Sequence, residues 1–189
     1  LWGLGSGAGR AVYSLFGAWL GEREMTGLVE RPTDFGISVL FVAMGLGGTL
    51  GAPVARRINQ SAGGGLARHL GRSMVFDGAG LVLLALVPNL WGASVVLVLR
   101  EVNFAIWWTA QQTLLMSRTD DRFAGRVFAS FETLVTLMMV GAMLASGLAA
   151  DTYGFRVVAV AGGAVIVLSG LLWFPLRRGA LAREGGQRI

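Results

Sequence analysis

The sequence predicts an all-α integral membrane domain of six transmembrane helices, arranged as a 3+3 inverted repeat. Three observations predict it. Of the 189 residues, 54% are hydrophobic and only 14% charged, against about 25% charged in an ordinary soluble domain, and the mean hydropathy is +0.63. Charge-poor runs long enough to cross a bilayer recur along the chain. The basic residues collect in every second connection between those runs. A soluble core cannot absorb such a deficit of charge, because a domain of this size leaves much of its surface wet. Disorder is excluded as well, since disordered chains are polar and charge-rich.

A bilayer core of about 30 Å needs roughly 20 apolar residues per helix. The first span is residues 1–20, with Arg10 inside it. The second is 35–55, free of charge and bounded by Asp34 and Arg56. The stretch from Ser73 to Ser117 holds too many apolar residues for one helix. Its turn falls either at Arg100-Glu101, which leaves a span from Gly78 to Leu99, or at Pro88-Asn89-Leu90-Trp91. Pro-Asn is turn chemistry and Trp91 suits a membrane interface, so the third span is 73–87 and the fourth 91–115. The fifth, 127–150, is interrupted only by Glu132. The sixth, 157–176, lies between Arg156 and the pair Arg177, Arg178.

Orientation follows from the arginines. All 16 basic residues are arginine. Four lie between Arg56 and Arg72, three between Arg118 and Arg126, and four in the tail from Arg177, whereas the alternate connections hold only Arg23, Arg31 and Arg156. The positive-inside rule puts the rich side, with the C-terminus, in the cytoplasm. Topology thereby explains the positive charge, and nucleic acid is not an expected partner. The absence of lysine suits a GC-rich, bacterial-type codon usage, hence a bacterial inner membrane. There is no cysteine and a single histidine, His69, so no metal, disulfide or cofactor site is expected. Starting at Leu1 without a signal-peptide pattern, the chain is expected to be a piece of something longer.

Repeats are sought early in any chain. Gly47-Gly-Thr-Leu50-Gly51-Ala-Pro-Val54-Ala55 in the second span corresponds to Gly141-Ala-Met-Leu144-Ala145-Ser-Gly-Leu148-Ala149 in the fifth. The offset is 94 residues. The two segments end middle helices on opposite membrane faces, as in the inverted three-helix repeats of secondary transporters.

At these residues the chain resembles a known family. The run Gly45-Leu-Gly-Gly-Thr-Leu-Gly-Ala-Pro-Val-Ala-Arg-Arg57 looks like the eighth helix and following loop of a major facilitator superfamily transporter. Thr109-Ala-Gln-Gln-Thr-Leu-Leu115 with Asp121-Arg-Phe-Ala-Gly-Arg-Val127 resembles the tenth helix and its loop. Gly147-Leu-Ala-Ala-Asp151-Thr-Tyr-Gly154-Phe-Arg156 follows the superfamily's Gly-x-x-x-Asp-x-x-Gly-x-Arg pattern. The branch it most resembles is that of macrolide-efflux and siderophore-exporting drug:proton antiporters. The resemblance implies the C-terminal half of a twelve-helix fold, an absent N-terminal six-helix half as partner, and a small-molecule substrate. The chain departs from the pattern with Ala55 in place of Asp, an insertion holding Gly63-Gly64-Gly65, and Ala124-Gly125-Arg126 where Arg-Gly-Arg is common.

Charges inside a span are costly and usually face a cavity or a partner. The fourth span is richest in them. At 100° per residue, Asn103, Trp107 and Gln111 fall within about 60° of Arg100, with Glu101, Phe104, Trp108 and Gln112 to one side. The far half is apolar or small. The polar, aromatic face is either a wet cavity wall, on which the aromatic rings stack against substrate, or a packed interface with Arg100 and Glu101 paired to neighbouring helices. Glu132 is either a proton-coupling carboxylate or one held by cytoplasmic arginines. Asp77, the other proton-coupling candidate, is more naturally neutralised by Arg72 or Arg68. Arg10 can reach Glu101 or Glu132.

These features predict a secondary transporter that works by alternating access, and the resemblance implies proton-coupled efflux of a small amphipathic compound such as a drug or siderophore. The alternative is a six-span structural or assembly subunit. An intramembrane enzyme is not expected: Ser146-Gly147 and Ser169-Gly170 lack the leading glycine of a rhomboid-type Gly-x-Ser-Gly, and His69 lies in a loop. Single cysteines at Thr33 and Ala62 should react with an impermeant maleimide from opposite sides of the membrane. Labelling from one side would overturn the topology.

Overall fold

The computed structural model describes residues 2–61 and 66–186, and all of its regular elements are helices. In chain order they are α1 (Trp2–Met25), α2 (Pro32–Ser61), α3 (Leu66–Leu86), α4 (Leu90–Arg118), α5 (Asp121–Tyr153) and α6 (Phe155–Gly186). The insertion at Gly63–Gly65, Ala62 and Arg188 lie outside the described residues. Five helices, α2 to α6, are long and apolar enough to cross a membrane, as in a multi-pass membrane protein. The first is not among them, although the sequence predicts a span there.

The reason lies in its position. Helix α1 packs on α2, α5 and α6, and its Val12, Tyr13, Phe16 and Leu20 are almost wholly buried. A helix wrapped by protein does not need a lipid-facing surface, so it tolerates Arg10, Ser6 and glycines where its neighbours carry leucine and valine. By contrast, α2 shows Phe41, Val42, Leu46 and Leu50, and α5 shows Leu134, Leu137, Leu144 and Leu148, on the outside. An apolar belt of this extent is unusual on a soluble monomer.

The connections obey local chemistry. The chain turns at Pro88-Asn89, as predicted. Asn89 caps α4 by accepting from Gly92 N at 2.6 Å, and both carboxylate oxygens of Glu24 accept from Leu90 N at 3.0 and 3.1 Å. Two of the orphan amides of α4 are thereby satisfied, and the end of α1 is tied to the start of α4. Asp120 caps α5 through Arg122 N. Between α5 and α6 a single residue, Gly154, turns the chain at φ +80°, a conformation that side chains with a Cβ strongly disfavour.

Helix pairs meet where side chains are smallest. The α2–α4 and α3–α6 interfaces are the most extensive, followed by α1–α2, α1–α5, α1–α6 and α3–α4. Gly47 lies over Val98 and Glu101. A Cβ on Gly51 would sit 2.7 Å from Ala105 Cβ and 2.9 Å from Val102 Cα. Close approach of this kind is how helices gain contact without a hydrophobic drive between them. The side of the fourth span that carries Val98, Val102 and Ala105 therefore faces α2. On α5 the repeat counterparts of Gly47 and Gly51, Gly141 and Ala145, do not pack in this way. A Cβ on Gly141 meets nothing, and the buried residues there are Ala142 and Ser146, one position further round the helix. Gly7 of α1 packs on Met139 and Ala142.

Gly51→Ala should destabilise the bundle by about 1–3 kcal/mol through overpacking. Gly141→Ala should be neutral, or stabilising by up to ~1 kcal/mol through helix propensity. Thermal unfolding in detergent, run on both variants side by side, distinguishes the two positions.

Candidate functional site

Helix α4 brings the polar residues together, and its neighbours decide what each of them does. Arg100 points at α3. Its Nη2 lies 2.7 Å from Asp77 Oδ1, and its Nε donates to the same oxygen at 2.9 Å and to the Asp77 carbonyl at 3.2 Å. Nη1 donates to the Tyr13 hydroxyl of α1, and the guanidinium lies 5.5 Å from the centroid of that ring. The Arg100 and Asp77 side chains are only 7% and 6% exposed. Such a pair is tolerable away from water because the ions are matched in geometry and further hydrogen-bonded. Gly80 makes room for it: a Cβ there would stand 2.5 Å from Arg100 Cγ.

The partner of Asp77 is thus Arg100, not the expected Arg72 or Arg68. Helix geometry gives the reason. Residues five and nine positions away stand about 140° and 180° around the helix, and both arginines are on the exposed side of α3. One turn toward the start of α3 and the end of α4, Ser73 and Asn103 repeat the α3–α4 link. Ser73 Oγ donates to Asn103 Oδ1 at 2.8 Å, and Asn103 Nδ2 donates to the Ser73 carbonyl at 2.9 Å. Arg100 and Asn103 therefore form a packed interface and border only a shallow hollow of about 230 Å³ between α3 and α4.

Glu101 turns the other way and is buried against Gly47 of α2, where it interacts electrostatically with Arg10 and Arg100. The Arg10 guanidinium lies 5.4 Å over the Phe104 ring. Of its two possible carboxylates it is therefore Glu101 that feels Arg10. Glu132 instead accepts a hydrogen bond from Gln112 Nε2 at 3.0 Å. That bond crosses between α4 and α5, which do not pack along their length.

Phe104, Trp107 and Trp108 form one cluster, with centroids 5.9 to 6.1 Å apart, inside the range of favourable aromatic contacts. Trp107 is almost fully buried. Together with Gln111 it lines a cavity of about 340 Å³ closed by Leu70 and Met74 of α3, Met138 of α5 and Trp173 of α6. Gln111 Nε2 is buried at this cavity with no hydrogen-bond partner among the described residues. Small-molecule sites have this character: a few hundred cubic ångströms, mostly apolar walls, and few polar groups.

The predicted face of α4 is thus two things at once. Its outer half, Arg100 and Asn103, is an interface; its inner half, Trp107 and Gln111, is a cavity wall. Asp77 and Glu132 do not share a site. Tyr13, Ser73, Gly80 and Gln112 were not singled out by the sequence as site residues. A signal existed for one of them, since Ser73 stands one helical turn (i,i+4) from Asp77, as Asn103 stands one turn (i,i+3) from Arg100 on the opposing helix. Among the described residues no group of three histidine or carboxylate side chains converges as a metal site would require. No protein-family model, curated protein or solved structure matches this chain.

Arg100→Ala should cost about 3–5 kcal/mol, because it strands a buried carboxylate. The double variant Asp77→Leu/Arg100→Met should recover most of that loss. Unfolding of the single and double variants in detergent checks this, and additive losses would refute a coupled pair.

Proposed function

We propose that the chain is the C-terminal six-helix half of a major facilitator superfamily transporter, and that it moves a small amphipathic compound by alternating access. The observation that carries this proposal is the Trp107–Gln111 cavity. It lies between helices of a bundle whose exterior is apolar, opens past Leu134 and Met138 of α5, and offers aromatic surface beside one unsatisfied amide donor. A ring system with a carbonyl or ether oxygen fits that chemistry. The motif resemblance along the chain points the same way.

The packing order supports a 3+3 inverted repeat in part. Exchanging α1 with α4, α2 with α5 and α3 with α6 carries the α2–α4 pair onto α1–α5, carries α3–α4 onto α1–α6, and leaves α3–α6 in place. The correspondence breaks at α1–α2, which packs, and α4–α5, which does not. The arginine distribution supports a cytoplasmic C-terminus in a bacterial inner membrane. Export, and coupling to protons through Glu132, rest on the family resemblance and on a carboxylate within an apolar span. The second function, a structural subunit, is favoured by one observation only: Arg100 is paired with Asp77, and Asn103 with Ser73, across the α3–α4 interface.

The complete protein in inverted vesicles with an imposed proton gradient should release protons when an exported amphipathic compound is added. Trp107→Ala and Gln111→Leu should raise the half-saturating concentration on the order of tenfold, the equivalent of about 1.4 kcal/mol. Glu132→Gln should abolish coupled release. Transport unchanged in both cavity variants would remove the cavity from the pathway. Coupled release surviving in Glu132→Gln would make that residue structural.

A further inference from the structure

Two guanidinium groups converge on one indole at the end of the bundle away from the arginine-rich connections. Arg23, in the last turn of α1, places its Cζ 5.2 Å from the Trp19 ring centroid. Arg156, in the first turn of α6, places its own 4.7 Å from the same ring. The two cations are thus no further apart than the sum of those distances. Both side chains are exposed, and neither has a carboxylate or hydrogen-bond partner among the described residues. Arg31, the other arginine of this end, lies 3.9 Å from Asp34. Of the nearby acids, Glu24 is committed to Leu90 N, while Glu22 and Asp151 are exposed and make no ion pair with either arginine.

A ring contact at an exposed site is weak and leaves the positive charge in place. Two such charges side by side repel, and the N-terminus of α6 adds its own positive potential beside Arg156. An anion lying between them relieves all three. Arginine forks suit phosphate, which they bind through two parallel hydrogen bonds. Below the cations the surface is aromatic: Trp19 packs on Phe16 and Phe155 with centroids 6.1 and 5.8 Å apart. Arg156 immediately precedes the apolar run of α6, the level at which a membrane gives way to water. An anion with a hydrocarbon portion beneath it matches this surface better than a free ion.

We propose that Arg23, Arg156 and Trp19 form a binding site for the phosphate of an anionic phospholipid, with the lipid's glycerol and upper chains against Trp19 and Phe155. The site stands apart from the Trp107–Gln111 cavity and does not depend on transport. It also accounts for two of the three arginines that lie against the positive-inside pattern.

The test is native mass spectrometry of the delipidated full chain in neutral detergent, titrated with phosphatidylglycerol, phosphatidylcholine or inorganic phosphate. Phosphatidylglycerol should bind more tightly than phosphatidylcholine. The variant Arg23→Gln/Arg156→Gln should weaken phosphatidylglycerol about tenfold, as loss of charge-assisted bonds implies, whereas Arg56→Gln/Arg72→Gln at the opposite end should keep this site. If the glutamine variant does not fold, Arg23→Lys/Arg156→Lys keeps the charge and should still weaken binding severalfold by losing the fork. Equal binding of both lipids, or unchanged phosphatidylglycerol binding in the arginine variants, would overturn the proposal. Displacement of phosphatidylglycerol by millimolar inorganic phosphate would reassign the site to a soluble anion and overturn the lipid assignment.

Discussion

The ion pair between Arg100 and Asp77 is the constraint around which the bundle is arranged. A guanidinium that leaves water must find opposite charge and filled hydrogen bonds, and here three helices are needed to supply them. Helix α3 gives the carboxylate and its backbone carbonyl, α1 gives the Tyr13 hydroxyl, and α4 carries the cation. With those positions set, α3 and α4 are fixed in register, Ser73 falls opposite Asn103, and the remaining α4 side chains are apportioned to the other neighbours. Trp107 and Gln111 continue the same face of α4 beyond Asn103, where it meets Leu70 and Met74 of α3 and leaves the cavity between them.

Small residues complete what the ion pair begins. Gly47 and Gly51 let α2 lie against α4 closely enough to bury Glu101, which then stands near Arg10 and Arg100. Gly80 opens the path for the Arg100 stem. In each case the absence of one methyl group brings backbone against side chain, where dispersion contacts take the place of a hydrophobic drive that lipid does not provide. Interfaces made this way are intolerant of added volume. Charge and glycine meet at Glu101 against Gly47 and at Arg100 against Gly80: the first sets register, the second sets distance.

Much of the fold was legible in the sequence. Hydropathy placed α2 to α6, and Pro88-Asn89 marked the break between α3 and α4. The division of α4 into a polar, aromatic half and a small, apolar half could be read from the helical period alone. What could not be read was pairing between helices. Arg72 and Arg68 looked near Asp77 along the chain, but the helix carries them to other faces, and Arg100 is 23 positions away. Gly141 shares a motif with Gly47 yet faces open space, since a repeated string does not repeat its rotation about the helix axis. Gln112 could not be matched to Glu132, because their bond spans two helices that do not otherwise pack. For the same reason the wheel of α4 showed a polar face but not its division into interface and cavity.

The burial of α1 has a consequence for how the chain enters a membrane. Alone it is too polar and too rich in glycine to be held by lipid, whereas α2 and the later helices partition by their own composition. Of its partners, α2 follows it directly along the chain, and α5 and α6 come last. Arg10 and Tyr13 find their neighbours on α4, in Phe104, Glu101 and Arg100. In a bilayer such a helix would be a guest, held by the helices around it more than by lipid, so that its place depends on their packing and not on its own hydropathy.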